Sequence, residues 1–413
     1  MLVEFSVENF RSIKNEQTLS LLTTKSTECP NNHFVFDNGK EQFDLLKSVI
    51  IYGANGSGKS NLIKSFRALQ CLVLGNDLSI LMPFKLDANS QFAPTTFDLT
   101  FIVNQVRYQY VISATSKKIY SECLYQFPKG RVQVLFERYL HEETKEYAWN
   151  IGNALKGQKM MWKDATRYDQ LFLKKASDNN SEQLMQLTEF FEKRLQLIDH
   201  MNSELDPHHS IQYLLKEEDN IAQYLKKADL GIDGVKAVEK PFSFQDFPKN
   251  MPEPMKKELF NKLKDKNMLS IFTVHQSESL GGVEFELSEE STGTQKYFGL
   301  AGYWINALKT GSVLVVDELQ NNLHPKLVQY LTGLFNHPDT NPHNAQLIFT
   351  SHDISLLSSP FEFRRDQIVF CDKNRAQETE VFSLVDFHVR KDKQDIAKDY
   401  LNGRFGGIPF IRD

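Results

Sequence analysis

No run in this 413-residue chain approaches the roughly 18 apolar residues that a membrane-spanning helix needs. A transporter built on it would have to keep its membrane domain on another chain. Cysteine is scarce: Cys29, Cys71, Cys123 and Cys371 stand far apart and form no C-x-x-C pair. That argues against a zinc site or a disulfide framework and suits a reducing cytoplasm, the expected location. A strong charge of one sign is also missing. The formal net charge is -5, so no overall basic footprint marks a nucleic-acid partner, and any such contact must come from a local patch. Low-complexity tracts are absent, which removes disorder as the default. The opening MLVEFSVENFRSIKNE alternates apolar and polar residues and carries Glu4 and Glu8 where an export signal would be uniformly apolar, so it reads as a strand.

What is present is an ordinary globular composition, long enough for about two to three domains. The run LLKSVIIY, Leu45 to Tyr52, is apolar and β-branched, and it leads into Gly53-Ala54-Asn55-Gly56-Ser57-Gly58-Lys59-Ser60. That octet fits the phosphate-cradling pattern G-x-x-x-x-G-K-[ST]. From Asn61 to Leu74 the spacing of Leu62, Ile63, Phe66, Leu69 and Val73 is helical. A loop between a buried strand and a helix amino terminus can aim several backbone N–H groups at one anion. Lys59 is then the residue that neutralises the β and γ phosphates, and Ser60 the one that binds Mg²⁺.

Between Phe92 and Phe136 paired alternating runs predict an antiparallel sheet, with TTFDLTFIV and VRYQYVIS joined by a tight Asn104-Gln105 connector. Leu171 to Leu230 reads as two amphipathic helical stretches divided by Asp206-Pro207. The Pro- and Lys-rich PFSFQDFPKNMPEPMKKELFNKLKDK reads as a surface excursion without catalytic residues. After Val283 an α/β pattern returns: EESTGTQKY opening a helix, the strand SVLVVDEL, a helix from Pro325 to Phe335, the strand AQLIFTSHD and a final strand DQIVFCD. Near-continuous apolar strands of this kind indicate a parallel sheet covered on both faces.

Three further motifs accompany the loop. SVLVVDEL ends in Asp317 and Glu318, so Asp317 can hold the metal shell and Glu318 can polarise a water. Alone, an acidic pair after a strand is as often solvated surface; the company of the phosphate loop changes that reading. FTSHD delivers His352 one strand further on, where it suits a γ-phosphate sensor. Glu290-Ser291-Thr292-Gly293-Thr294-Gln295-Lys296 places small hydroxylated residues at a helix start, alone no more than an N-cap and a turn.

In that order the motifs resemble those of ABC-type ATPase heads, including SMC and RecF-like proteins, and Asn9-Phe10-Arg11-Ser12 resembles the opening of RecF-, SMC- and OLD-like heads. ESTGTQK, DELQNNLHPKL, FTSHD and the segment Tyr400 to Pro409, YLNGRFGGIP, are similar to the AAA-domain ATPases of bacterial phage-defence and abortive-infection operons, the Rlo-type and AriA-like proteins among them. The resemblance implies an α/β P-loop NTPase head with a mostly parallel core sheet, an antiparallel β subdomain and an inserted helical lobe. Its expected segments are an amino-terminal ATPase lobe at 1–165, a helical insertion at 166–280 and a carboxyl-terminal ATPase lobe at 281–413. It implies ATP and Mg²⁺ as cofactors, with Arg11, Gly53 to Ser60 and Asn61 on the nucleotide, Ser60 and Asp317 on the metal, Glu318 as catalytic base, Lys59 in catalysis and His352 as switch. Ser291, Thr292, Gly293 and Thr294 would act in trans on the ATP of a second copy, which makes the chain an ATP-dependent homodimer or higher oligomer. The signature lacks the transporters' double glycine, and no persuasive glutamine loop stands out, Gln91, Gln105 and Gln109 being sheet candidates only. The chain stops soon after its last strands, without room for the TOPRIM nuclease of OLD-like proteins, so a nuclease or toxin effector is expected on a separate chain. Contact with DNA or a phage protein completes the expectations, and none with a membrane. The favoured reading is a sensor ATPase of anti-phage defence; the alternative is a RecF- or SMC-like DNA repair or recombination ATPase, served by basic segments such as Lys256-Lys257 or Lys391-Lys393.

Overall fold

The computed structural model describes residues 1–199, 207–216, 220–228, 231–241, 243–244, 247, 251–263, 267–358, 363–387 and 395–409. Lys391, Lys393 and Asp206 of the helix divider lie outside these described residues. The chain divides into two compact units. One comprises Met1–Asn202, Asn306–Asn321 and Pro325–Asp413, the other Ser203–Ile305 and Asn322–His324. Residues 166–202, expected in a helical insertion, belong to the first unit.

In chain order the first unit opens with β1 (Leu2–Glu8), β2 (Gln17–Ser20), the hairpin β3 (His33–Asp37) and β4 (Gln42–Leu46), and β5 (Ser48–Tyr52). It continues with β6 (Thr95–Val103), β7 (Val106–Ala114), β8 (Ile119–Phe127), β9 (Gln133–Leu140), β10 (Tyr147–Ile151) and β11 (Leu195–Ile198). The second unit supplies β12 (Gly234–Pro241), β13 (Asn267–Ser277) and β14 (Gly281–Glu286). The chain then returns through β15 (Val313–Val316), β16 (Gln346–Thr350), β17 (Ile368–Lys373) and β18 (Thr379–Ser383).

The sheet that positions the candidate site runs β11-β15-β16-β5-β17-β18. Its first five strands are parallel, and β18 returns antiparallel on β17. Every residue of β5, β15 and β16 is buried, as strands covered on both faces must be. The helix Lys59–Val73 buries Leu62, Ile63, Phe66, Leu69 and Val73 in one core with residues of this sheet, such as Ile51 and Val315, and with Phe5, Leu99 and Phe101 of a second sheet. That helix is therefore held from two sides.

The second sheet is antiparallel, in the order β10-β9-β8-β7-β6-β1-β2. Its strands alternate: in β6, Phe97, Leu99 and Phe101 are buried while Thr96, Asp98 and Thr100 are partly open. Asn104 and Gln105 join β6 to β7 at φ 49° and 62°, the positive angles a two-residue hairpin loop requires. Of the glutamines considered for a glutamine loop, Gln91 therefore lies before β6, Gln105 in this turn, and only Gln109 within a strand, where it bonds Asp98.

Inside the sheet Glu122 and Arg138 are paired with no exposure of either side chain, Arg138 Nε lying 3.1 Å from the carboxylate. Glu122 also accepts from the Tyr110 hydroxyl (2.7 Å) and from the N–H groups of Phe172 and Leu173 (2.7 and 2.9 Å). A buried carboxylate thus caps the helix Phe172–Asp178 and ties it to the sheet.

The region Leu171 to Leu230 is not helical throughout. NNSEQLMQLTEFFEKRLQLIDHM starts as the helix Glu182–Glu189, but Leu195–Ile198 pairs in parallel with β15. Phe191, Leu195 and Ile198 keep a helical spacing while Leu195 and Leu197 alternate as in a strand, and pairing with β15 decided between the two. The expected helical lobe is corrected likewise: the second unit holds the antiparallel sheet β12-β13-β14 beside the helices His208–Leu215, Asn220–Lys226 and Glu253–Leu263. The last of these lies in the stretch read as a surface excursion. DQIVFCD is not the final strand, since β18 follows it.

Arg138→Met should cost the chain about 3–5 kcal/mol in urea unfolding, because it strands a buried carboxylate. The double variant Glu122→Gln/Arg138→Met should recover part of that loss. An additive double variant would show that the pair is not coupled.

Candidate phosphate-binding site

At the carboxyl end of β5 the backbone turns at Gly53 (φ 155°), Gly56 (81°) and Gly58 (114°) before the helix Lys59–Val73. Space requires glycine at two of these. A Cβ on Gly53 would stand 2.3 Å from the Cys371 carbonyl oxygen, and one on Gly58 2.1 Å from Thr379 Oγ1. No side chain caps the helix start. Its leading N–H groups are the kind that an anion satisfies.

Lys59 is buried, and its Nζ donates to the carbonyls of Gly53 (2.8 Å) and Ala54 (3.0 Å) within its own loop. Burial lowers its pKa, against the negative groups Glu318 and Asp317 nearby. Ser57 Oγ is buried without a hydrogen-bond partner among the described residues. Ser60 is half-buried at the helix start.

Asp317 follows β15 and is buried. The Thr350 hydroxyl at the end of β16 donates to Asp317 Oδ1 (2.7 Å) and accepts from the Glu318 N–H (2.7 Å). One hydroxyl thereby fixes both members of the acidic pair. Glu318 sits at φ 50°, a left-handed conformation costing a non-glycine residue about 1–3 kcal/mol. Asn321 Nδ2 donates to its Oε2. The strain turns Glu318 away from the strand direction.

His352 is exposed two residues beyond Thr350. Its pKa lies below the usual histidine value, through partial desolvation and the Lys59 charge, with Glu318 and Asp317 pulling the other way. Lys59, Asp317, Glu318 and His352 therefore share one electrostatic neighbourhood at the carboxyl edge of the parallel strands, where α/β sheets hold ligands.

Arg11 adopts φ 54°, and its N–H donates to the Met82 carbonyl (2.7 Å). Its Nε is buried without a partner among the described residues, and desolvation lowers its pKa. It lines a cavity of about 290 Å³ with Ser12, Asn61, Phe84, Lys85 and Lys373. Asn61 Nδ2 donates to Ser12 Oγ (2.7 Å), joining this cavity to the phosphate loop.

Ser291, Thr292, Gly293 and Thr294 belong to the second unit and open the helix Thr292–Thr310. Ser291 Oγ accepts from the Thr294 N–H (3.1 Å), an N-cap arrangement. Glu290 just before it is held by Thr273 Oγ1 (2.5 Å) and His275 Nε2 (2.6 Å) of β13.

An unpartnered buried hydroxyl, an uncapped helix start, a lysine turned onto its own loop and a glycine path without room for side chains all fit a phosphate ligand. Among the described residues no three His, Cys, Asp or Glu side chains form a metal cluster. Mg²⁺ needs none, since it commonly takes one or two protein ligands with phosphates and waters.

Residues 48–358 match the family described as "AAA domain, putative AbiEii toxin, Type IV TA system". The chain belongs to that family. No curated protein matches it. Among solved structures it is similar to the SMC head bound to the C-winged helix domain of ScpA, with 13% identity, 92% of this chain and 97% of that one covered, and a TM-score of 0.42. The SMC head of Thermotoga maritima stands at 12%, 92%, 98% and 0.40 on the same measures. RecF–ATPrS of the RecFOR pathway stands at 13%, 92%, 98% and 0.36. At these scores the likeness carries no argument.

For this AAA-domain chain, sequence reasoning missed Thr350 as a link and Thr379 altogether. Thr379 Oγ1 donates to the Ser57 carbonyl (2.9 Å), lies 2.8 Å from Ser12 Oγ and fills the space beside Gly58. Thr350 stood within FTSHD and was open to notice. Thr379 has no motif around it; only the β17–β18 hairpin brings it there.

In an NMR titration, His352 should protonate below pH 6.5. Lys59→Met should raise that midpoint, because it removes a repelling cation, and Asp317→Asn should lower it. Equal midpoints in all three proteins would separate His352 from the cluster.

Proposed function

We propose that the chain binds and hydrolyses ATP with Mg²⁺, oligomerises around it, and serves as the sensor subunit of an anti-phage defence system that controls an effector on a separate chain. The single observation behind the enzymatic part is the gathering of Lys59, Asp317, Glu318 and His352 beside a phosphate-shaped loop. The family description, which names a toxin–antitoxin system, supports the defence setting.

ATP with Mg²⁺ supplies the phosphoryl group and its charge neutralisation. In this chain the N–H groups of Gly53 to Ser60 cradle the β and γ phosphates, and Lys59 leaves its loop carbonyls to reach them. Ser60 and Asp317 would hold the metal, with the Asp317 carboxylate fixed by Thr350. Glu318 takes the proton of the attacking water, its carboxylate set by the left-handed backbone and by Asn321. His352 donates toward the γ-phosphate. Arg11 and Asn61 line the cavity for the rest of the nucleotide. Ser291 to Thr294 close over the nucleotide of a second copy, a helix start being able to reach phosphate in trans.

No observation among the described residues favours the DNA-clamp alternative over this reading. Of the basic pair Lys256-Lys257, Lys256 is paired on its own helix with Glu253.

Lys59→Ala should abolish ATP binding in calorimetry; retained binding would sink the phosphate-loop assignment. Glu318→Gln should still bind ATP but lose about 10²-fold or more in turnover and accumulate as an ATP-bound oligomer by native mass spectrometry. Unchanged turnover would leave an ATP-gated scaffold rather than an enzyme. A co-purifying second chain would support the sensor role, whereas toxicity of the isolated chain would make it the effector itself.

A further inference from the structure

The segment Tyr400 to Pro409 takes no part in the site as proposed, yet it lies directly behind the phosphate loop. The Tyr400 side chain, at the end of the helix Ile396–Leu401, is buried and stacks on Phe370 of β17, ring centroids 5.4 Å apart. It also meets Tyr52, the last residue of β5, at 5.7 Å. Its hydroxyl donates to the Gly407 carbonyl (2.9 Å). The Gly407 N–H donates to Asp372 Oδ2 (2.9 Å).

Glycine is required where the segment passes the loop. Gly407 has φ 66°, and a Cβ there would stand 3.3 Å from Gly53 Cα and 3.4 Å from the Cys371 carbonyl oxygen. Gly406 has φ 65°, and its Cβ would stand 2.7 Å from Asp372 Oδ2. Phe405 closes the far side, stacked on Phe370 at 5.6 Å. A buried tyrosine hydroxyl thus anchors the glycine of this segment that lies against the glycine at the loop's first turn. A phenylalanine would fill the same aromatic stack, so packing alone does not call for the oxygen.

We propose that Tyr400 is a positioning residue for the phosphate loop: its hydroxyl fixes Gly407, the backbone that packs against Gly53, and so sets the curvature with which residues 53–58 meet phosphate. This rests on the ATP-binding reading of that loop. Gly53 is the hinge between the rigid strand β5 and the loop, so the backbone packed against it is the point where a single anchoring hydrogen bond has most leverage over the cradle. The consequence is a linkage: displacement of the Ile396–Leu401 helix loosens ATP binding, and bound ATP steadies that helix.

The test is Tyr400→Phe in the full chain. Its Kd for ATP with Mg²⁺ should rise about three- to tenfold, the worth of one net hydrogen bond, with KM rising equally and kcat kept. Amide exchange at Gly53 should quicken while Ile50 and Ile51 of β5 stay protected. Wild-type affinity with unchanged Gly53 exchange would overturn the proposal. So would loss of protection throughout β5, which marks a purely structural role. If wild-type protein binds no ATP, the ATP reading fails on its own, and Gly53 exchange still decides whether the hydroxyl holds the loop.

Discussion

The phosphate loop runs so close to β17 and β18 that one added carbon at Gly53 or Gly58 would collide with Cys371 or Thr379. This crowding is the constraint on which the rest of the site depends. A backbone packed that tightly cannot drift, so its N–H groups point where the neighbouring strands make them point. It also explains why the parallel sheet is central: β5 must be flanked on both sides by buried strands to hold its carboxyl end still. The helix after the loop is pinned by the antiparallel sheet, with Phe5 against Phe66 at 4.0 Å between ring centroids.

Small polar groups do the fine positioning. Thr350 serves Asp317 and Glu318 with one hydroxyl. Thr379 and Ser12 join the loop to the turn that carries Arg11, through Ser57 and Asn61. Each link is short and buried or half-buried. In a region of low dielectric such hydrogen bonds gain strength, and leaving one unmade costs more. Lys59 is the exception that fits the purpose: its partners are carbonyls of its own loop, which it can exchange for a stronger anionic one.

The second unit keeps its own logic. Ser210 Oγ at the start of one helix donates to the Phe298 carbonyl and accepts from the Gly302 N–H, and Gly302 has no side chain because the Ser210 backbone occupies that space. Tyr224 stacks on Tyr297 at 5.1 Å. Ser291 to Thr294 thus open a helix whose first turns pack within that unit, and Glu290 anchors the turn before it to β13.

The sequence by itself determined where the candidate site residues fall on strand, loop and helix, because Gly53 to Ser60, Asp317-Glu318 and His352 lie in contiguous motifs whose spacing encodes those elements. It determined the hairpin at Asn104-Gln105 for the same reason, since residues tolerant of positive φ sit between alternating runs. Tertiary structure alone decided that Leu195–Ile198 is an edge strand rather than more helix, since Phe191, Leu195 and Ile198 keep the helical period while Leu195 and Leu197 alternate, until a partner strand appears. It alone made the middle region a sheet with helices, and it alone brought Thr379, Tyr400 and Gly407 against a loop more than 300 residues earlier. Contacts of that range leave no periodic trace in a single chain; they exist only once β17 has taken its place beside β5.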